Sequence, residues 1–230
     1  GRLRAGAVYV YRFDGASWRF ASRLAPRGLA AHARLGRSVS TWPGFIAAGA
    51  PSDPDSSPRR GAAWIFRAGP GGPWPVETVL RGAAPWGADG FGLAVDGSGD
   101  RLVVGAPLLE GGAAHVHRRG AGKWARGDLL TADPRHRFAH FGEPLVIAPG
   151  DGGPIVAIAA RGVDSVELFA PGTKGWSSLD VIGGAGAPTI SGFGTSLDIV
   201  PPRAAIGAPF DDRLGTRSGS VVIVEPVGGG

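Results

Sequence analysis

A two-residue step of a large apolar side chain followed by glycine returns four times along the chain. It stands at Leu35-Gly36, Phe91-Gly92, Phe141-Gly142 and Phe193-Gly194, at intervals of 56, 50 and 52 residues. A second element, Gly-Ala-Pro, follows each step, intact at Gly49-Ala50-Pro51, Gly105-Ala106-Pro107 and Gly207-Ala208-Pro209 and degraded to Ala159-Ala160-Arg161 in the third copy. Four tryptophans, Trp18, Trp74, Trp124 and Trp176, keep the same three intervals. A period near fifty residues restricts the chain to a propeller or another stacked array, because each unit must bury its apolar face against a neighbour.

Within a repeat the grammar is that of an antiparallel meander. The second copy reads as a first strand over Phe91–Val95, a polar turn over Asp96–Asp100, a second strand over Leu102–Ala106, a third over Gly112–His117 and a fourth over Trp124–Leu130. The third-strand pattern occurs five times, starting at Gly6, Gly61, Gly112, Ser165 and Gly219, against four of each other type. The expected fold is all-β: a β-propeller of four-stranded antiparallel blades, with four repeats visible and a partial fifth. The expected organisation is one domain over 1–230, with repeats near 1–34 (partial), 35–90, 91–140, 141–192 and 193–230 (partial). The 41 glycines and 20 prolines fit this as turn punctuation, since 43% of the residues are still hydrophobic and fall in short runs.

Composition excludes several chemistries. With no cysteine there is neither a disulfide nor a thiol nucleophile nor a cysteine-bound metal. Lys and Arg number 24 against 19 Asp and Glu, and all the cations except Lys123 and Lys174 are arginine. The surface is therefore mildly basic and suited to acidic partners, but the absence of a Lys/Arg run argues against nucleic acid. No apolar stretch is long enough to span a membrane, and no export segment is recognisable. The chain also lacks methionine, even at position 1, and is expected to be processed or to be part of a longer protein. No Gly-x-Ser-x-Gly elbow, phosphate-binding glycine loop or His-Glu-x-x-His motif appears.

The order Phe-Gly, strand, Gly-Ala-Pro, then Gly-x-x-x-Val-Tyr resembles the FG-GAP repeat, the blade of integrin α-subunit propellers and of bacterial surface and secreted proteins. The Asp-Gly-Ser-Gly-Asp turn followed by Leu-Val-Val-Gly-Ala-Pro is similar to the bacterial branch. The resemblance implies a non-enzymatic, extracellular or cell-surface binding or adhesion module that recognises a protein or an anionic glycan. The alternatives are a propeller enzyme acting on polysaccharide, or a purely structural sector of a surface protein. Calcium-binding members of that family carry an Asp-rich loop between the first two strands. Here only Asp96 and Asp100 supply carboxylates, whereas calcium takes about six to eight oxygens, so no cofactor is expected.

Alternate connections of a meander lie at one end of the sheet, so the loops joining strands two and three and those joining blades share one face. By resemblance, that face holds the ligand. Its candidate ligand-binding residues are Arg59, Arg60, Trp86, Arg135, His136, Arg137, Asp211, Asp212 and Arg213. Arginine there suits bidentate recognition of carboxylate or sulfate. Trp42 and Trp86 fall outside the tryptophan period and are candidates for stacking on a sugar. His115 and His117 point to one side of a strand, at positions held by aromatic residues in other copies, and are expected to pack between blades. Unpaired strands at an incomplete ring would favour self-association.

Overall fold

The computed structural model describes residues 3–52, 61–70, 72–82, 89–133, 138–183, 192–216 and 218–225. An opening hairpin, β1 (Val8–Phe13) and β2 (Trp18–Leu24), precedes three four-stranded antiparallel sheets. Blade 1 holds β3 (Val39–Trp42), β4 (Phe45–Ala50), β5 (Ala62–Arg67) and β6 (Val76–Arg81). Blade 2 holds β7 (Val95–Ser98), β8 (Arg101–Ala106), β9 (Ala113–Gly120) and β10 (Lys123–Thr131). Blade 3 holds β11 (Phe141–Ala148), β12 (Ile155–Ala160), β13 (Ser165–Gly172) and β14 (Gly175–Gly183). Blade 4 comprises β15 (Ser196–Val200), β16 (Arg203–Ala208) and β17 (Ser220–Val224). Sequential pairing in every sheet makes each a meander, and the whole is the all-β propeller architecture anticipated from the repeat.

Four apolar clusters fill the spaces between successive sheets. The hairpin places Leu24 and Val10 against Ile46, Trp64 and Phe66 of blade 1. Blade 1 in turn presents Ala47, Ala63 and Ile65 to Phe91, Leu102 and Val104 of blade 2. The next interface joins Val103 and Val116 to Phe141, Val156 and Phe169, and the last joins Ala157 and Val166 to Phe193, Ile199 and Ile206. The large residue of each Phe-Gly step is thus the plug that a blade drives into its predecessor. The glycine beside it is required by backbone proximity: a Cβ on Gly105 would stand 1.9 Å from the Gly142 carbonyl oxygen, and one on Gly49 would stand 1.9 Å from that of Gly92.

The third strand of each repeat begins on a left-handed residue: Gly6, Gly61, Gly112, Asp164 and Gly219, with φ between 49° and 89°. At three of these positions a parallel bridge joins the blade to the next Phe-Gly step, as Gly6 with Leu35, Gly61 with Phe91 and Gly112 with Phe141. A polar clip adds to the second interface. Glu77 on β6 accepts from Arg119 on β9 (2.6 Å) and from the Trp124 indole on β10 (2.9 Å), while the Arg119 guanidinium lies 5.3 Å from the Phe45 ring centroid. Burial pushes the Glu77 carboxyl up, but Arg119 and Trp124 outweigh it and hold the group below its ordinary value.

Two local expectations are corrected. Asp96 belongs to β7 rather than to a turn, which shrinks to Gly99 and Asp100. Its side chain is accommodated inside the molecule by donors from other blades, a long-range arrangement that a run of Asp, Gly and Ser disguises as a surface turn. Trp42 likewise lies in β3 and is buried. Its ring stacks on Phe45 at 5.3 Å and meets Trp124 edge-on at 6.3 Å, and its indole donates to the Gly99 carbonyl. This ring is a packing element and is not available to stack on a sugar.

Candidate functional site

The first strands of the blades, β3, β7, β11 and β15, stand side by side and line the centre of the array. Their matching positions form rings with one residue per blade, and two such rings carry polar chemistry. The inner ring, five residues beyond the large residue of each step, contains Ser40, Asp96, Val146 and Asp198. Asp96 ties three blades together: it accepts from the Ser40 hydroxyl at 2.7 Å and from the Ile147 amide at 2.8 Å, as well as from its neighbour Gly97. The Gly97 amide also donates to Ser40 Oγ, at 3.2 Å. Burial pushes the Asp96 carboxyl above its ordinary value against these donors, and the Asp198 charge adds to the push.

The outer ring lies at the strand entrances, two residues beyond the large residue of each step, and holds Arg37, Leu93, Glu143 and Thr195. Arg37 of blade 1 reaches past blade 2 and donates to Glu143 Oε1 of blade 3 at 2.8 Å. Glu143 is more enclosed than its partner, with its side chain 22% exposed against 49%. An arginine and a carboxylate therefore meet in a direct ion pair at the central strand entrances, on the same end of the sheets as the longer loops. Neither residue belongs to a motif that marks it in the sequence. The signal that would have found them is a charge at a repeat position that is uncharged in the other two copies.

Of the loop-face candidates, Arg59, Arg60, Trp86, Arg135, His136 and Arg137 lie outside the described residues. Asp211, Asp212 and Arg213 lie in the connection between β16 and β17. There Arg213 Nε donates to both Asp211 oxygens, at 3.0 and 2.9 Å, and Asp211 also accepts from the Arg213 amide. Arg213 holds the Asp211 carboxyl down at about 2. This pair is spent on closing its own loop. The carboxylates of the β7–β8 hairpin are likewise engaged separately: Asp100 pairs with Arg101 and Arg118, while Asp96 is taken up by the blade tie. Among the described residues, no cluster of three His, Cys, Asp or Glu side chains is placed to hold a metal ion. His115 and His117 lie between blades 1 and 2 against Phe91, at 5.3 and 6.1 Å between ring centroids.

Neither a protein-family profile nor a curated protein sequence matches the chain. Solved structures do. A 6-phosphogluconolactonase candidate from Bacteroides uniformis superposes with a TM-score of 0.61 at 16% identity, covering 96% of this chain and 60% of its own. The periplasmic gluconolactonase PpgL of Pseudomonas aeruginosa gives 0.53 at 14% identity, covering 100% of this chain and 68% of its own. Sqt1 of Chaetomium thermophilum gives 0.50 at 14% identity over 75% of this chain and 41% of its own. The chain thus spans 60% of the length of the Bacteroides protein.

These findings overturn the FG-GAP and integrin resemblance. The Phe-Gly and Gly-Ala-Pro elements meet a packing need, close backbone approach between stacked blades, and so do not single out one propeller family. The non-enzymatic adhesion reading falls with it, since two of these structural relatives are named for a lactonase activity. At such identities the likeness itself carries the fold.

Proposed function

We propose that the chain carries the central mouth of a propeller hydrolase that opens lactones of sugar acids. The observation behind this reading is the Arg37–Glu143 pair, which brings a guanidinium donor and a carboxylate into direct contact at the entrance of the central strands, where a substrate would separate them. Lactone opening needs these two functions. Glu143 takes a proton from the attacking water as its oxygen bonds to the carbonyl carbon. Arg37 supplies N–H donors to the carbonyl oxygen as negative charge develops there. The ring ester bond then breaks, the ring oxygen leaves as a hydroxyl carrying the proton, and one water is consumed. The structural likeness to two proteins named as lactonases supports this reaction class as the one to test. A location outside the cytoplasm is part of the proposal, by likeness to the periplasmic protein, and display at the cell surface is its finer form; fractionation of the native host tests both.

Hydrolysis of glucono-1,5-lactone, followed by acid release above the spontaneous rate, is the test. Wild type should turn the lactone over, Arg37→Gln should lose about a hundredfold, and a neutral polysaccharide should not be cleaved. A wild-type rate equal to background, or full activity in folded Arg37→Gln, would sink the reading.

A further inference from the structure

A cavity of about 470 Å³ opens between β1, the end of β2 and the segment that follows β2, bounded by Arg4, Tyr9, Arg23, Pro26, Arg27 and Leu29. Three arginines line it, and no acidic residue does so among the described residues. Elsewhere the arginines are commonly matched with acids, as in Arg19 with Asp14, Arg118 with Asp100 and Arg203 with Glu225. Arg4, Arg23 and Arg27 have no such partner among the described residues.

All three are carried on fixed backbone. Arg4 sits in the left-handed region (φ 50°), its carbonyl accepting from the Arg34 amide, one residue before the Ala5–Leu35 hydrogen bond. Arg27 lies in a turn closed by the Leu29 amide on the Pro26 carbonyl at 3.1 Å. Arg23 is steered by Tyr9: its Nε donates to the phenolic oxygen at 3.3 Å, and its guanidinium lies 5.9 Å from the ring centroid. Unmatched like charges gathered around one cavity raise the local positive potential and favour an anion within it. Guanidinium forks match planar and tetrahedral oxyanions bidentately. The volume exceeds that of a single ion and falls within the usual range of small-ligand pockets.

We propose that this cavity binds a small polyhydroxylated acid through its oxyanion, carried as a carboxylate or a phosphate ester. The arginines grip the anion, and Tyr9 with the apolar wall of Pro26 and Leu29 packs against the carbon chain. The choice of a polyhydroxylated acid rests on the hydrolase reading, but the site concerns other residues and is read by binding alone, so its failure is distinguishable from failure of the hydrolysis assay.

The test is calorimetric titration of the 230-residue chain with gluconate, glucose 6-phosphate, inorganic phosphate and neutral glucose at constant ionic strength. The expected result is saturable binding of gluconate or glucose 6-phosphate, none of glucose, and a loss of about tenfold or more in affinity in each of Arg4→Gln, Arg23→Gln and Arg27→Gln. Which of the two acids binds more tightly identifies the anion. Lys174→Gln removes one positive charge from the β13–β14 turn and should leave affinity unchanged, while circular dichroism confirms that the variants fold. No saturable binding of either sugar acid, binding unaltered by the three arginine changes, or an equal loss in Lys174→Gln would each overturn the proposal.

Discussion

At the scale of single residues, His117 is the most exposed to a change of pH. Both its ring nitrogens are buried without a partner, and the matching positions on β5 and β13 hold Phe66 and Phe169. Burial, then the charges of His115 and Arg126, hold its pKa down to about 4; burial and Arg126 do the same to His115. In the unfolded chain both titrate near 6.5, so between about pH 6.5 and 4 the unfolded state binds more protons than the folded one. Their contribution to stability is therefore present above about pH 6.5 and is lost as pH falls through that window. His117→Phe should raise stability at pH 5 by about 1–2 kcal/mol and flatten the pH dependence, as read by urea unfolding at pH 5 and 7. A steeper dependence in the variant would contradict the assignment. The packing role of these histidines was legible in the sequence because the repeat places aromatics at the same positions. That of Trp42 was not, since its burial depends on Trp124 of the next blade, and no local pattern reports it.

At the scale of elements, the interface between two blades is set by whether a glycine stands at the start of Gly-Ala-Pro. Gly105 abuts the Gly142 carbonyl, leaving no room for a methyl group. In the third copy Ala159 takes the corresponding place, and a Cβ on Gly194 would lie 3.1 Å from the Ala159 Cβ, so that interface is already spaced to hold one methyl. Gly105→Ala should accordingly cost about 3 kcal/mol through forced separation of blades 2 and 3. Ala159→Gly should cost only about 0.5–1 kcal/mol, mainly backbone entropy. Equal effects in a chemical denaturation series would show that the interfaces are not distinguished by this contact. The strand succession was readable in advance because turn residues and β-branched runs alternate locally. The boundaries of the first strands were not: β3 and β7 extend through residues that resemble turns, and their ladders are completed by side chains from neighbouring blades.

At the scale of the whole molecule, the two ends of the array present faces that the interior blades bury. Val221 and Ile223 on β17 hold the positions that Ala63 and Ile65 hold on β5, yet they are 67% and 58% exposed. At the opposite end Tyr11 and Phe20 are more than half exposed. Such faces and an uncharged edge strand favour association. The expected behaviour is a mass by light scattering that rises with concentration and returns to that of a monomer in Ile223→Lys; a wild type that stays monomeric throughout would count against it. The repeat made the architecture legible from sequence, but the pair at the mouth was not, because Arg37 and Glu143 are 106 residues apart and meet only when blades 1 and 3 flank blade 2.

Whether that pair does chemistry or merely braces the mouth is decided by measuring lactone hydrolysis and melting temperature together on Glu143→Gln. A partly exposed ion pair contributes under about 1 kcal/mol to stability, so the melt should move little. Loss of a general base should lower the rate by at least about a hundredfold. That combination is the predicted result. A wild-type rate retained in the variant, with or without a lowered melt, would contradict the assignment of the central mouth as the active site.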